Sequence, residues 1–188
     1  ISLIMFNACD KDDDSTPKQP STSINKILPL GASRVDGLRP EYEGFRYELW
    51  KDLIDGDWTF DFIGTRTDNA SYPSYNGNDF DVDHEGGGGG TSGQILNGIE
   101  GWLNETGSPD VVLFSSPGGN DALDGLPYED AVENINNIID IIQADNPNVT
   151  IFIEQMAPGR SDFMTPELTI YINQLQQEVL SIASDQST

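Results

Sequence analysis

The sequence predicts an α/β domain, a parallel sheet with helices packed on both of its faces. Three observations predict it. Apolar patterns of strand length and helix length alternate along the chain. The strand candidates are continuous apolar runs rather than alternating ones, as strands buried on both faces require. Polar segments follow three of these runs, and in open α/β sheets a ligand sits beyond the carboxyl ends of the strands.

The elements follow in order. Residues 10–23 contain Asp, Lys, Ser, Thr, Pro and Gln with no apolar residue and read as a solvated tether, so the folded domain is expected over 24–188. Ile27-Leu28-Pro29-Leu30 reads as a buried strand ending at Gly31. Tyr42, Phe45, Leu49 and Leu53 recur at helical spacing and predict a helix over 42–54. Trp58 to Ile63 is aromatic and β-branched, a strand closed by Gly64. Residues 65–91, rich in Gly, Asn, Asp, Ser and Tyr, read as one long loop, and a loop that long is usually functional. Ile95, Ile99 and Leu103 mark a helix, and Val111 to Phe114 a strand. Val132, Ile135, Ile139 and Ile142 mark an amphipathic helix. Val149 to Ile153 is a strand. Leu168, Ile172, Leu175, Val179 and Ile182 mark the last helix, with Pro166 in its first turn. The pattern β-α-β-α-β-α-β-α then calls for another strand beyond Thr188.

Composition narrows the partners. The 188 residues suffice for one domain. With 32 acidic and 9 basic residues the net charge is −23, which repels nucleic acid and anionic membranes. The lone cysteine, Cys9, forms no internal disulfide. Residues 1–9 are apolar up to Ala8-Cys9, and Lys11-Asp12-Asp13-Asp14 follows. The switch resembles the end of a bacterial lipoprotein signal peptide, with Cys9 as the lipidated residue and the acidic run similar to the export tag of some Gram-negative surface lipoproteins. That resemblance implies a lipid anchor at the outer membrane, cell surface or periplasm, with no other membrane contact. A buried apolar strand ending in an unreactive cysteine is the other reading of the same residues.

Three short segments carry candidate chemistry. Gly31-Ala32-Ser33 follows the first strand and can point a hydroxyl into the cleft; alone it is also an ordinary turn or cap. His84-Glu85 leads into five consecutive glycines, Gly86 to Gly90, and then Thr91. Such a run is either a flexible surface loop or a place where a backbone N–H approaches a ligand closely. Gly118-Gly119-Asn120-Asp121 caps the next helix or lends the Asn120 carboxamide to an oxyanion. Serine hydroxyl, backbone amide and carboxamide together are the parts needed to attack an ester carbonyl and hold the resulting oxyanion. Asp79, Asp81 and Asp83 imitate the start of a calcium loop, but His84 stands where glycine is needed and Gly90 where the bidentate Glu belongs. Neither a metal nor a cofactor is expected. His84, the only histidine, reads as a hydrogen-bonded loop residue. Tyr72, Tyr75 and Tyr128 are either stacking platforms for sugar rings or packing pins.

Jointly the three segments resemble the SGNH, or GDSL, hydrolase family. Gly31-Ala32-Ser33 matches its Gly-Asp-Ser block with Ala32 in place of aspartate. His84 to Thr91 matches the His-Glu-Gly-x-x-Gly-Trp-Thr block of its carbohydrate-esterase branch, with Gly90 in place of tryptophan and Gly89 at the functional glycine. Gly118-Gly119-Asn120-Asp121 matches Gly-x-Asn-Asp in full. The resemblance implies a three-layer α/β/α sandwich of SGNH/flavodoxin-like type that stops before its C-terminal strand and helix. It implies Ser33 as nucleophile, with the Ser33 and Gly89 amides and the Asn120 side chain as oxyanion hole. The substrate it implies is a small ester or acylated carbohydrate, and the match at His84 to Thr91 tilts it toward an acetylated carbohydrate. The family's Asp-x-x-His block, which supplies the base, has no match and is expected beyond Thr188. The rival expectation is a non-catalytic surface lipoprotein that binds glycans in a degenerate esterase cleft, favoured by Ala32, Gly90 and the absent base.

Overall fold

The computed structural model describes residues 20–68, 70–156 and 162–187. Cys9, segment 1–9 and most of the 10–23 tether lie outside them. Strand β1 (Lys26–Gly31) is the centre of the sheet. On one side it pairs in parallel with β5 (Val111–Ser115), which pairs in parallel with β6 (Thr150–Glu154). On the other side two short strands share its length. β2 (Asp61–Phe62) pairs with its start and β4 (Asp83–Gly86) with its end, both parallel. β3 (Arg66–Thr67) adds antiparallel to β4, giving the order β3-β4-β1-β5-β6.

Helices cover both faces, as expected. Alternate residues of the strands decide which side each core takes. Leu28, Leu30, Val112 and Phe114 pack under α3 (Ser92–Thr106), α5 (Tyr128–Asp145) and α6 (Pro166–Asp185). On the reverse face Ile27 and Phe62 pack with Tyr47 and Trp50 of α2 (Arg46–Asp55), with Phe80, Tyr72 and Tyr75 closing over them. Two helices too short to show a period, α1 (Ser33–Asp36) and α4 (Gly119–Leu123), stand directly after β1 and β5.

Three expectations need correction. Residues 65–91 are not one loop, because β3 and β4 interrupt them. β4 escapes a hydropathy reading because it is Asp-His-Glu-Gly, yet His84 and Glu85 are each only 1% exposed. Its Glu85 and Gly86 sit in register with Leu30 and Gly31, so the glycine run leaves the sheet beside the end of β1. The strand expected over 58–63 shrinks to Asp61–Phe62, since the Trp58 amide instead closes the end of α2 on Leu53 and the indole stays exposed. Helix α2 also begins at Arg46, because Tyr42 is held in a bridge with Leu38. At β6 the sheet presents Phe152 to solvent, above a hollow shared with Phe45, Leu49 and Leu113.

Candidate active site

Successive strands deliver the three predicted segments to one edge, where hydrogen bonds join them. β1 ends at Gly31 and turns at Ala32 into α1, which begins at Ser33. Gly31 has φ +153°, and a Cβ there would lie 2.8 Å from the Ser115 carbonyl, so only glycine fits. β5 leaves through Ser116 (φ 48°) and Gly118 (φ 77°), two left-handed residues that swing Asn120 into α4. Gly87 N–H donates to Gly31 O at 3.2 Å, and Gly88 N–H to Asp36 Oδ2 at 3.0 Å. Asn120 Nδ2 donates to Gly90 O at 2.8 Å. The glycine run is thus tied to α1 on one side and α4 on the other.

Of the five glycine amides, four are engaged. Gly86 N–H donates to His84 Nδ1 at 2.9 Å, and Gly90 N–H to Gly87 O at 2.8 Å, beside the two bonds of Gly87 and Gly88. Among the described residues the Gly89 N–H has no partner, and neither does the Ser33 N–H or hydroxyl. Gly89 holds φ +75°, a left-handed conformation that side-chain-bearing residues rarely adopt. An amide side chain carries two N–H bonds, so Asn120 keeps one beyond its bond to Gly90. Ser33 and Asn120 line a common cleft of about 280 Å³; Gly89 does not line it.

Residues that the sequence reading passed over hold this edge in place. Arg46 is 2% exposed and its guanidinium serves four acceptors. Nε donates to Val35 O at 2.6 Å, Nη2 to Asp36 O at 3.0 Å and to Asp68 Oδ2 at 2.6 Å, and Nη1 to Val82 O at 3.1 Å. One cation therefore fastens the turn bearing Ser33 to the chain entering β4. A signal existed: Arg46 stands one turn before Trp50, on the buried stripe of α2. Asp121 is 2% exposed and accepts from Ser92 N–H at 2.8 Å and Ser92 Oγ at 2.6 Å. It thereby joins α4 to the start of α3, where Thr91 and Gln94 form a capping box.

His84 sits behind the turn, its Nε2 4.0 Å from Asp36 Oδ1. Burial, and then the nearby Arg46 charge, push its pKa down to about 3, so it is neutral at ordinary pH. A buried imidazole whose Nδ1 already accepts from Gly86 is built as a support for β4, not as a base for Ser33. Asp79 and Asp81 serve as local acceptors: Asp79 takes the Ser74 hydroxyl, and Asp81 the Phe62 and Asp83 amides. Tyr72 packs on Phe80 beneath Arg39 and donates to Asp68, while Tyr75 packs on Trp50 and donates to Asp55. Both are packing residues of the α2 side. Tyr128 meets Tyr171 edge-on, with centroids 5.4 Å apart.

No family model matches the sequence, and no curated protein matches it. Solved structures do. A family 3 carbohydrate esterase from Clostridium thermocellum is similar at 31% identity and TM-score 0.67, with 87% of this chain covering 74% of that one. A carbohydrate esterase family 3 structure from Talaromyces cellulolyticus is similar at 26% identity and TM-score 0.70, over the same shares of each chain. An acetyl esterase mutant solved with acetate ion is similar at 25% identity and TM-score 0.69, again over those shares. A structure described as an SGNH-hydrolase family esterase, AlinE4, shares the fold at 19% identity and TM-score 0.61. The order of motifs along the strands and these likenesses agree: the chain has an SGNH-type esterase fold and belongs to the family 3 carbohydrate esterases.

Proposed function

We propose that the chain is a serine ester hydrolase that deacylates a carbohydrate or another small ester through an acyl-enzyme. One observation carries the reading: Ser33 and Asn120 share a cleft, and the glycine run tied between their helices leaves a single amide, that of Gly89, unengaged. Ser33 Oγ attacks the acyl carbon and the carbonyl electron pair moves onto oxygen. The Ser33 and Gly89 amides and the second N–H of Asn120 stabilise that oxyanion. Collapse breaks the bond to the alcohol, which leaves with a proton, and water then releases the acid by the same route. The Ser33 proton must pass to a base, and among the described residues none bonds its hydroxyl. The carbohydrate side of the reading rests on the His84 to Thr91 block and on the named relatives. A lipid on Cys9 would hold the protein at the bacterial surface or periplasm. The apolar-to-acidic switch supports this, and Cys9→Ser behind a lipoprotein signal sequence should move the protein from the detergent phase to the aqueous phase.

The test supplies the base from solution. Nitrophenyl acetate hydrolysis in imidazole should exceed that of imidazole alone when the chain is present, and Ser33→Ala should remove the excess. Ala32 and the unpartnered Ser33 hydroxyl favour the second reading, a glycan-binding protein with a degenerate cleft. That reading takes over if no excess is seen while acylated oligosaccharides bind intact.

A further inference from the structure

A second cavity, of about 210 Å³, lies between the β3–β4 edge and α3, with Gly87 and Gly90 of the glycine run in its lining. It shares no lining residue with the cleft of Ser33. Glu85 borders it from β4. That residue stands in register with Leu30, which packs beneath α3, so its carboxyl turns to the same face. Glu85 is 1% exposed, and its Oε1 accepts from the Thr65 amide. Its Oε2 is buried with no partner among the described residues. Trp102 borders the cavity from α3. A Cβ on Gly98 would lie 2.2 Å from the Trp102 ring, so the indole rests on the helix where that side chain is missing. Arg66 and Gln94 complete the polar lining. The Arg66 guanidinium lies 3.6 Å from where a Cβ on Gly87 would stand, and has no hydrogen bond or ion pair among the described residues. Gln94 commits its Oε1 to the capping box of α3, and its Nε2 donates to no described residue.

This lining sets the chemistry of a ligand. Glu85 Oε2 needs a donor, while Gln94 Nε2 and Arg66 need acceptors, and a hydroxyl serves as either. One carboxylate and one guanidinium call for a ligand without net charge. Trp102 supplies an apolar ring. A cavity of about 150 Å³ holds a six-carbon ring, so this one has room for a six-membered ring with its substituents. A pyranose combines these properties: apolar C–H faces, and hydroxyls around its edge. We propose that the cavity binds one neutral pyranose ring, at a site separate from Ser33. Glu85 Oε2 accepts from the hydroxyl that enters deepest, Gln94 Nε2 and Arg66 donate to other hydroxyls, and a C–H face lies on Trp102. A buried acceptor without a donor destabilises the fold, and a sugar hydroxyl that reaches Oε2 recovers that loss. An aromatic hydrocarbon would match the volume but leave Oε2 bare, which decides for the sugar.

The experiment is a binding measurement. Methyl β-glucopyranoside and methyl β-xylopyranoside, neither of them an ester, are titrated into the intact chain and followed by NMR. At least one should bind at about millimolar concentration, shifting the Trp102 indole and the Gln94 side-chain amide. Gln94→Glu keeps the capping acceptor and removes the donor, and Arg66→Ala changes an exposed side chain. Each should weaken binding about five- to ten-fold while urea unfolding is unchanged. Trp102→Ala should weaken it at least as much. Methyl cellobioside binding tighter than the glucoside identifies the ring as part of a glycan chain; equal binding identifies a free sugar. If neither glycoside binds, or if the shifts centre on the Asn120 side-chain amide, the proposal is overturned. It is overturned too if indole binds beside Trp102 and the glycosides do not, since the space is then an apolar hole. Ester hydrolysis is decided separately by Ser33→Ala and nitrophenyl acetate, so either result can fail while the other stands.

Discussion

The two walls of the cleft are held by different forces. The β1–β4 side is fixed by directional bonds: Arg46 to three carbonyls and Asp68, Asp36 to Gly88, and Asn120 to Gly90. The α4–α6 side is held by apolar contact, with Leu175 and Ile135 beneath Gly118 and Met156 against Gly119. Directional bonds fix atoms to a fraction of an ångström, which stabilising a developing charge requires. Apolar contact tolerates rearrangement. Precision is thus expected on one wall and tolerance on the other, and substitutions should tell them apart.

The largest effect should come from Ser33→Ala, which leaves no protein-dependent hydrolysis of nitrophenyl acetate in imidazole, measured against imidazole alone. Next is Arg46→Met. It strands Asp68 and three carbonyls in a buried setting and should cost about 3–5 kcal/mol in urea unfolding. Asn120→Ala removes one proposed oxyanion donor and should lower kcat about 10²–10³-fold while the circular dichroism is unchanged. A small loss there would break the comparison, since the polar wall would then be as forgiving as the apolar one.

His84 gives a smaller, pH-dependent effect. Its folded pKa lies near 3, below the ordinary value of 6.5, so the native state disfavours the protonated form. The neutral imidazole is therefore no burden above about pH 6.5, and stability falls as pH drops from there towards 3, by up to about 1.4 kcal/mol per pH unit. Asp81 opposes this. Burial raises its pKa to about 6, so its protonation relieves the native state as pH falls through that value. The readout is accordingly the difference between wild type and His84→Gln in urea unfolding from pH 7 to 4. The variant should lose less stability on acidification, and parallel curves would show that His84 does not titrate as argued. Gly89→Ala should have the smallest effect on stability, about 1–2 kcal/mol for a side chain at positive φ, because its Cβ would meet nothing within 4 Å.

What the sequence made legible followed hydropathy. Ile27 to Leu30, Val111 to Phe114 and the isoleucine stripe of α5 declared their elements, because burial on both faces or along one stripe demands apolar residues there. β4 did not, because its burial is offset by specific partners: His84 takes the Gly86 amide and Glu85 the Thr65 amide. The first partner lies two positions away and the second twenty, and a hydropathy pattern carries neither. The site divides the same way. Ser33, Gly89 and Asn120 stand in short motifs at strand ends and could be read. Arg46, Asp36 and Asp121 act through partners 10 to 52 positions away and became visible only when the chain was folded.

The unengaged amide of Gly89 has a consequence for isotope exchange. Its neighbours Gly86, Gly87, Gly88 and Gly90 are each hydrogen-bonded and should lose their protons to heavy water slowly, while Gly89, free in the middle of the run, should exchange fastest. On the proposed mechanism, an anion that mimics the tetrahedral intermediate engages that one proton from the edge of the cleft. Protection gained at Gly89, with little change at the glycines on either side, would then report occupancy of the cleft at single-residue resolution, without any turnover.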